Sequence, residues 1–328
     1  MAVNVAAWAD PVRQPEPGRL RAWHLVCPSG SLRRGQVMGW TLGGRELVLY
    51  RGQGGGVFAL SAHCAHMGTH LAGGTVVGDQ LRCPLHHWRF DGGGACRAVP
   101  RQPDATGRPG QRPFPVVERF GAILVFNGPV VLCPPPEVGA ADLAWHTGPP
   151  ITVRCDWLPI VANSFDIEHL RTVHHRELWD TPTVERVDAF TLRLRYTSRV
   201  TGTGLSDRLM KALSGNRIRV TITLHGGTLM SVESDLGRTR SALVAGFRQT
   251  AEGISVRMAF AARRGRVPGL DRVSLAVSRW LFTSFLRRDL SVLHGMRFNA
   301  AGAAEDPVLR QLMDFTASLP EDRDDERG

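Results

Sequence analysis

The sequence predicts an α+β fold in two domains: a front half of short β-strands, then a back half in which an antiparallel sheet is followed by one long helix. Three observations predict it. From Trp23 to about Asn127 the apolar residues fall in short alternating runs punctuated by glycine, as in Glu46-Leu47-Val48-Leu49-Tyr50 and Ala122-Ile123-Leu124-Val125-Phe126. That period of two is the mark of strands joined by turns. Strict alternation returns at Phe190, Leu192, Leu194 and Tyr196, then at Ile218, Val220, Ile222 and Leu224, then at Ile254, Val256, Met258 and Phe260, so each segment presents one apolar face. Residues 270–298 run without proline as an amphipathic stretch carrying Asp289, far longer than a strand.

In chain order, residues 1–20 are polar and proline-rich and read as a loosely held arm. The first domain covers 21–127 and contains a loop, RQPDATGRPGQRPF, at 101–114. Pro134-Pro135-Pro136 and Pro149-Pro150 mark 128–150 as the passage between domains. The second domain covers 151–318, opening with WLPIVANSFDIEHLRTVHHREL (157–178), which reads as largely helical. Residues 319–328 form a charged tail expected to be disordered. A length of 328 residues favours two cores over one.

The hydrophobic fraction of 43% and charged fraction of 21% are those of an ordinary globular protein. No run of about 18 uncharged apolar residues is present, so no membrane span is expected. The N-terminal segment lacks the pattern of a signal peptide, and six cysteines are too few for a disulfide framework. Both observations favour a reducing cytoplasm. The net charge is +10, carried by arginine with Lys211 the single lysine. The arginines are scattered, with clusters no longer than pairs such as Arg33-Arg34, Arg263-Arg264 and Arg287-Arg288, and no nucleic-acid motif accompanies them.

The densest chemistry lies in HCAHMGTHLAGGTVVGDQLRCPLHHW, residues 63–88. Cys64-Ala65-His66 is followed after 16 residues by Cys83-Pro84-Leu85-His86. Two thiolates and two imidazoles around one centre suit structural zinc, but a zinc knuckle usually pairs like ligands on one loop. One of each on each loop suits a [2Fe–2S] cluster in which one iron takes both cysteines and the other both histidines. The pattern C-x-H-x16-C-x2-H, with Gly68 after the first pair and Pro84 after the second cysteine, resembles the Rieske motif, and the surrounding residues resemble Rieske domains of oxygenases. Such mixed ligation raises the potential above all-cysteine ferredoxins, into a range of about −150 to +300 mV. His63, His70 and His87 miss the spacing and read as non-ligands; many relatives carry glycine at the position of His87. Cys27, Cys96, Cys133 and Cys155 read as unligated thiols.

Some 200 residues remain behind such a domain, more than an electron carrier needs. NSFDIEHLRTVHH, residues 163–175, places Asp166 and His169 on one helix face. His169 and His174 lie about 140° apart on an ideal helix, so they converge only if the helix bulges or ends between them. N-x-x-D-x-x-H-x4-H resembles the mononuclear iron motif of Rieske non-haem iron oxygenases, in their terminal oxygenase component. The resemblance implies His169 and His174 as iron ligands, with His175 the alternative to His174, and Asp166 as a carboxylate bridging the two iron sites. Asn163 matches the motif as a supporting position. A carboxylate on the long C-terminal helix completes the set, and FLRRDLSVLHGMRF offers Asp289, 115 residues after His174. Two histidines and one carboxylate leave one face of Fe(II) open.

The resemblance covers roughly 20–127 and 157–300. It implies an all-β Rieske domain followed by a helix-grip domain of the START/Bet v 1 kind, a curved antiparallel sheet with a long C-terminal helix. It implies a [2Fe–2S] cluster on Cys64, His66, Cys83 and His86, and a mononuclear Fe(II) on His169, His174 and Asp289. It also implies electrons from NAD(P)H through a separate ferredoxin or flavin reductase, and a homotrimer in which Asp166 bridges neighbouring subunits. An acidic donor would suit the positive charge. The expected reaction is O2-dependent hydroxylation of a small apolar molecule, aromatic or polycyclic, by a monooxygenase or dioxygenase. Desaturation and demethylation use the same site. A Rieske electron carrier with a non-catalytic ligand-binding domain is the alternative from another class. The inward faces of the sheet look apolar through Phe190, Leu192, Ile222, Leu224, Met258 and Phe260, which suits such a molecule.

Overall fold

The computed structural model describes residues 13–102, 107–139, 143–237, 239–263 and 270–322. The first twelve residues of the expected arm, the last six of the tail, and 103–106 of the expected loop lie outside them. The chain divides into two compact units: Arg21–Pro135 with Asp322, and Pro136–Glu321 with residues 13–20.

The front unit is built from antiparallel strands β1 (Trp23–Pro28), β2 (Val37–Leu42), β3 (Arg45–Arg51), β4 (Val57–Ser61), β5 (Thr75–Val77), β6 (Gln80–Arg82), β7 (Arg89–Phe90), β8 (Cys96–Ala98), β9 (Pro113–Phe114), β10 (Val116–Arg119) and β11 (Ala122–Phe126). They form three small sheets, in orders β1-β11-β10, β2-β3-β4-β9 and β5-β6-β7-β8. Strand β3 is apolar on both faces, and alternation sends its residues into two cores. Leu47 and Leu49 pack with Val26, Ile123 and Val125, while Val48 and Tyr50 pack with Leu60, Leu71, Leu81 and Phe90. Cys64 and Cys83 belong to the second of these cores.

The back unit is a nine-stranded antiparallel sheet. Its strands are β12 (Leu143–Thr147), β13 (Ile151–Val153), β14 (Arg176–Leu178), β15 (Thr183–Asp188), β16 (Thr191–Val200), β17 (Ile218–His225), β18 (Leu229–Asp235), β19 (Arg240–Thr250) and β20 (Gly253–Arg263). The main path runs β12-β20-β19-β18-β17-β16-β14, with β13 beside β20 and β15 beside β16. Helices α1 (Trp157–Phe165), α2 (Glu168–Thr172), α3 (Leu205–Ser214), α4 (Leu270–Leu293), α5 (Ala300–Ala303) and α6 (Pro307–Ala317) complete it. The long helix α4 packs on β20 and β12, and buried Ser278 donates to the Ala261 carbonyl at 3.0 Å. This is the sheet-and-long-helix architecture expected of the back half.

Three boundaries differ from those expected. The segment 128–150 is not all linker: Leu143–Thr147 pairs in register with β20, Leu143 opposite Arg263. Proline there marks turns, not the end of a domain. The arm is anchored where it is described: Leu20 is fully buried, and Thr316 Oγ1 donates to Gln14 at 2.6 Å. The start of the tail is ordered too, with Leu319 buried and Asp322 paired to Arg45 at 2.6 Å. The expected helix at 157–178 is two short helices, broken at Asp166, whose backbone is extended (φ −71°, ψ 115°). No helix among the described residues is long and apolar enough to cross a membrane.

Candidate active site

In the front unit, two loops of the same design carry the cysteine–histidine pairs. The first follows β4, and the Cys64 N–H donates to the Thr69 carbonyl at 2.9 Å. The second joins β6 to β7, and the Cys83 N–H donates to the Trp88 carbonyl at 2.8 Å. Four residues after each cysteine the chain turns left-handed, at Gly68 (φ 73°) in one loop and His87 (φ 58°) in the other. The position suits glycine, and a side chain there costs about 1–2 kcal/mol. His87 is exposed, its backbone serving the turn.

The four side chains divide by environment. Cys64 and Cys83 are buried at 4% and 2% exposure, whereas His66 and His86 are exposed with ring centroids 4.8 Å apart. Burial, with the neighbouring Cys83 adding to it, pushes the Cys64 thiol up to about 11. A bound iron must therefore drive the deprotonation, as metal ions do for coordinating thiols. Trp88 stacks on His66 at 4.4 Å with 6° between planes, which fixes that ring. The donor set fits a two-iron cluster whose sulfur side faces an apolar core and whose imidazole side faces out.

His63 and His70 are turned to other partners. His63 Nε2 bonds Glu46 at 2.8 Å and Nδ1 bonds the Gly68 carbonyl at 3.0 Å, which raises its pKa above the ordinary value. His70 Nδ1 accepts from the Ala72 N–H at 3.2 Å. None of the six cysteines is in a disulfide. A residue the sequence did not single out, Gln111, braces the first loop. In the amide orientation that satisfies both ends, its oxygen accepts from the Ala65 N–H at 2.6 Å and its nitrogen donates to the His63 carbonyl at 3.0 Å.

In the back unit, His169, His174 and Asp289 come together with their ligand atoms all within 4.8 Å of one another. The helix break makes this possible. His169 lies on α2, the helix ends at Thr172, and His174 follows in the turn before β14. Asp289 reaches them from α4, about one turn before its end. His174 Nε2 is 2.7 Å and His169 Nε2 is 3.7 Å from Asp289 Oδ1, and Asn163 Nδ2 donates to the same oxygen at 3.1 Å. His175 is exposed, its left-handed backbone (φ 52°) turning the chain away, so the geometry brings His174 and not His175 to the group.

The surroundings suit metal ligation. His169 Nδ1 donates to the Asp166 carbonyl at 2.5 Å, leaving Nε2 without a proton to offer a lone pair. His174 is fully buried, stacks on Phe285 with centroids 3.4 Å apart, and has an Nδ1 without a hydrogen-bond partner. Burial holds its pKa below the ordinary histidine value despite the Asp289 carboxylate, so the ring is neutral, the form that binds a metal. Asp166 itself caps α2: its Oδ1 accepts from the Glu168 N–H at 2.8 Å and the His169 N–H at 3.4 Å.

His169 and Asp289 also line a cavity of about 350 Å³ between the inner face of the sheet and α4. Its walls are mostly apolar, from Ile218, Val220, Met230 and Leu243 on the sheet to Phe282 and Phe285 on the helix. Of the six residues expected to make the inward faces of the sheet apolar, Ile222 lines it. Leu192, Leu224, Met258 and Phe260 are buried in packing instead, and Phe190 lies off the cavity at the turn into β16. Periodicity told which face was apolar; which part of that face α4 leaves uncovered depends on tertiary packing.

Residues 22–118 match the Rieske [2Fe–2S] domain. Aminopyrrolnitrin oxygenase PrnD of Pseudomonas fluorescens is 33% identical over 165 residues, 47% of this chain and 45% of that protein. The oxygenase component of a 3-ketosteroid-9-alpha-monooxygenase of Rhodococcus rhodochrous is 31% identical over 50% of this chain and 47% of its own length. A cholesterol 7-desaturase of Bombyx mori is 32% identical over 48% of this chain and 36% of its own length. The chain thus spans about half the length, or less, of these curated relatives. Among solved structures, dicamba monooxygenase bound to 3,6-dichlorosalicylic acid superposes with a TM-score of 0.65 at 21% identity, over 91% of this chain and 97% of that one. NdmB of Pseudomonas putida CBB5 superposes with a TM-score of 0.63 at 20% identity, over 94% and 98%. The front unit, over residues 22–118, is a Rieske [2Fe–2S] domain, and over about half of its length the chain is similar to oxygenases and a desaturase.

Proposed function

We propose that this chain is the terminal oxygenase of a multicomponent system, oxidising a small apolar molecule with O2. The observation that carries the proposal is the group His169, His174 and Asp289 opening onto an apolar cavity, in a chain that also holds a Rieske domain. When bound, the [2Fe–2S] cluster supplies electrons and a mononuclear Fe(II) supplies the binding and reduction of O2.

The residues divide the work. Cys64 and Cys83 would hold the cluster from the core, and His66 and His86 would hold it at the exposed side, where electrons enter and leave. His169, His174 and Asp289 would hold the ferrous ion, with Asn163 orienting the carboxylate and Asp166 fixing the His169 ring. Asp166 is also assigned as the carboxylate between the two iron sites, its partner being a cluster histidine of a neighbouring copy in a homotrimer. The apolar walls keep bulk water from the ferrous ion and hold the substrate by burial. The electrons come from NAD(P)H through a separate ferredoxin or flavin reductase, and the setting is cytoplasmic.

The relatives are named as acting on aminopyrrolnitrin, 3-ketosteroids and cholesterol. Hydroxylation of a ring compound is the reaction favoured for this chain, and desaturation is its neighbour at the same site. The test begins with metal analysis. The reconstituted chain is expected to hold about three irons and two sulfides, and His169→Ala to hold about two irons with the cluster absorbance unchanged. A chain that takes up only the cluster after ferrous reconstitution overturns the proposal. With both sites filled, O2 uptake coupled to product from a panel of apolar ring compounds identifies the reaction.

A further inference from the structure

One end of the cavity is not apolar. Arg176, on the short strand β14, lines it and is buried at 7% exposure. Its Nη1 has no hydrogen-bond partner, and its nearest carboxylate, Asp207 on α3, is 3.7 Å from Nη2, beyond hydrogen-bonding distance. Asp207 is itself shared. Arg288 Nη2 approaches its other oxygen at 3.3 Å, and Arg288 Nη1 donates to the His174 carbonyl at 3.3 Å. Asp289 turns its Oδ1 to His174, His169 and Asn163 and not to either arginine. Two guanidiniums therefore share one buried carboxylate, and of the two it is Arg176 that is buried, Arg288 being part-exposed. A buried donor left unmade costs about 1–3 kcal/mol, and more when it is charged. Removing a charge from water without a partner is more expensive still.

Both deficits close together if the ligand brings an anionic oxygen. A neutral acceptor would satisfy Nη1 and leave the excess charge; a carboxylate satisfies both, by the charge-assisted bonds that a guanidinium fork favours. We propose that the molecule taken into this cavity is an apolar acid, its carboxylate held by Arg176 and its hydrocarbon body lying along the apolar wall. The inference rests on the oxygenase reading for what happens to the acid, and on Arg176 alone for its capture. Tyr196 and Ser198, on the same face of β16, line the cavity too and supply hydroxyls to the polar end.

The test is calorimetric titration of the holoenzyme, without O2, using matched pairs: benzoate and benzamide, 2-naphthoate and 2-naphthamide, anthracene-2-carboxylate and its amide. At least one acid is expected to bind about tenfold or more tightly than its amide. Arg176→Gln is expected to reduce that preference to less than about twofold while leaving the amide's affinity within about twofold. If Arg176→Gln does not fold, Asp207→Asn reads the same charge in the opposite direction and should raise the acid preference by about threefold or more. No acid preferred over its amide, a preference that survives Arg176→Gln, or one that Asp207→Asn leaves unchanged overturns the proposal. Iron analysis of the same samples separates the two readings. Full ferrous occupancy with no acid preference removes the acid alone; Arg176-dependent acid binding without the third iron removes the oxygenase and keeps the acid site.

Discussion

Asp166 shows how much one side chain and its own backbone can do. Its carboxylate begins α2 by accepting two amides, and its carbonyl sets the tautomer of His169. Asparagine retains an oxygen for the cap and the same carbonyl for the ring, and removes only the negative charge. Asp166→Asn is therefore expected to keep iron and sulfide content and to lower product-coupled O2 uptake by at least about a hundredfold, the scale of a lost proton-handling group. Loss of both metals in that variant would show that the carboxylate is structural. The same residue marks what could be read in advance. The spacing of Asp166, His169 and His174 was visible in the sequence, as was Asp289 by its setting on a long helix. The pairing of Asn163 with Asp289 joins residues 126 positions apart and rests on the exact rotation of α4 against α1.

At the scale of elements, the cluster loops depend on a turn outside them. Gly94, at φ 84°, lies against the segment that carries Gln111, and a Cβ there would sit 2.0 Å from the Gln111 carbonyl oxygen. Backbone cannot swing aside as a side chain can. Gly94→Ala must displace that segment, and the Gln111 bond to Ala65 goes with it. The left-handed backbone adds about 1–2 kcal/mol and the overlap about 1–3 more. The cluster chromophore is expected to bleach at a temperature lower by several degrees, with ferrous binding at His169, His174 and Asp289 retained; an unchanged bleaching temperature would refute the bracing role. Nothing in the composition of residues 101–114 distinguished this segment from an idle loop, because its task lies in one contact made across the fold. The end of α2 was visible, since two histidines five apart needed the helix to bulge or end between them and it ends at Thr172, whereas the earlier break between α1 and α2 at Asp166 was not.

At the scale of the whole molecule, acid sensitivity should come first from the back unit. His225, on β17, has a pKa lowered from 6.5 to about 4, mainly by burial and then by the Arg193 charge. Between those values the unfolded chain binds a proton that the folded chain refuses, so stability falls as pH drops from 6.5 toward 4. The residue is only half-buried, so the loss is on the order of 1–2 kcal/mol and not the full value of the shift. His225→Gln should flatten the pH dependence of the denaturation midpoint across that window; an equal slope in both proteins would show that other groups dominate. The two-part architecture was legible because alternation and one long helix survive any detail of packing. The boundaries were not, since Pro149-Pro150 could equally end a domain or turn the chain between β12 and β13.

The middle of strand β3, Leu47 to Tyr50, is buried on both faces, and one of the two cores it divides contains Cys64 and Cys83. Stripping of the inorganic centre by oxidants thus cannot remain a local injury. Loosening one side of β3 deprives the other of its wall, so the front unit opens as a single cooperative block. A protease that cleaves only opened chain would then remove spent molecules and spare intact ones.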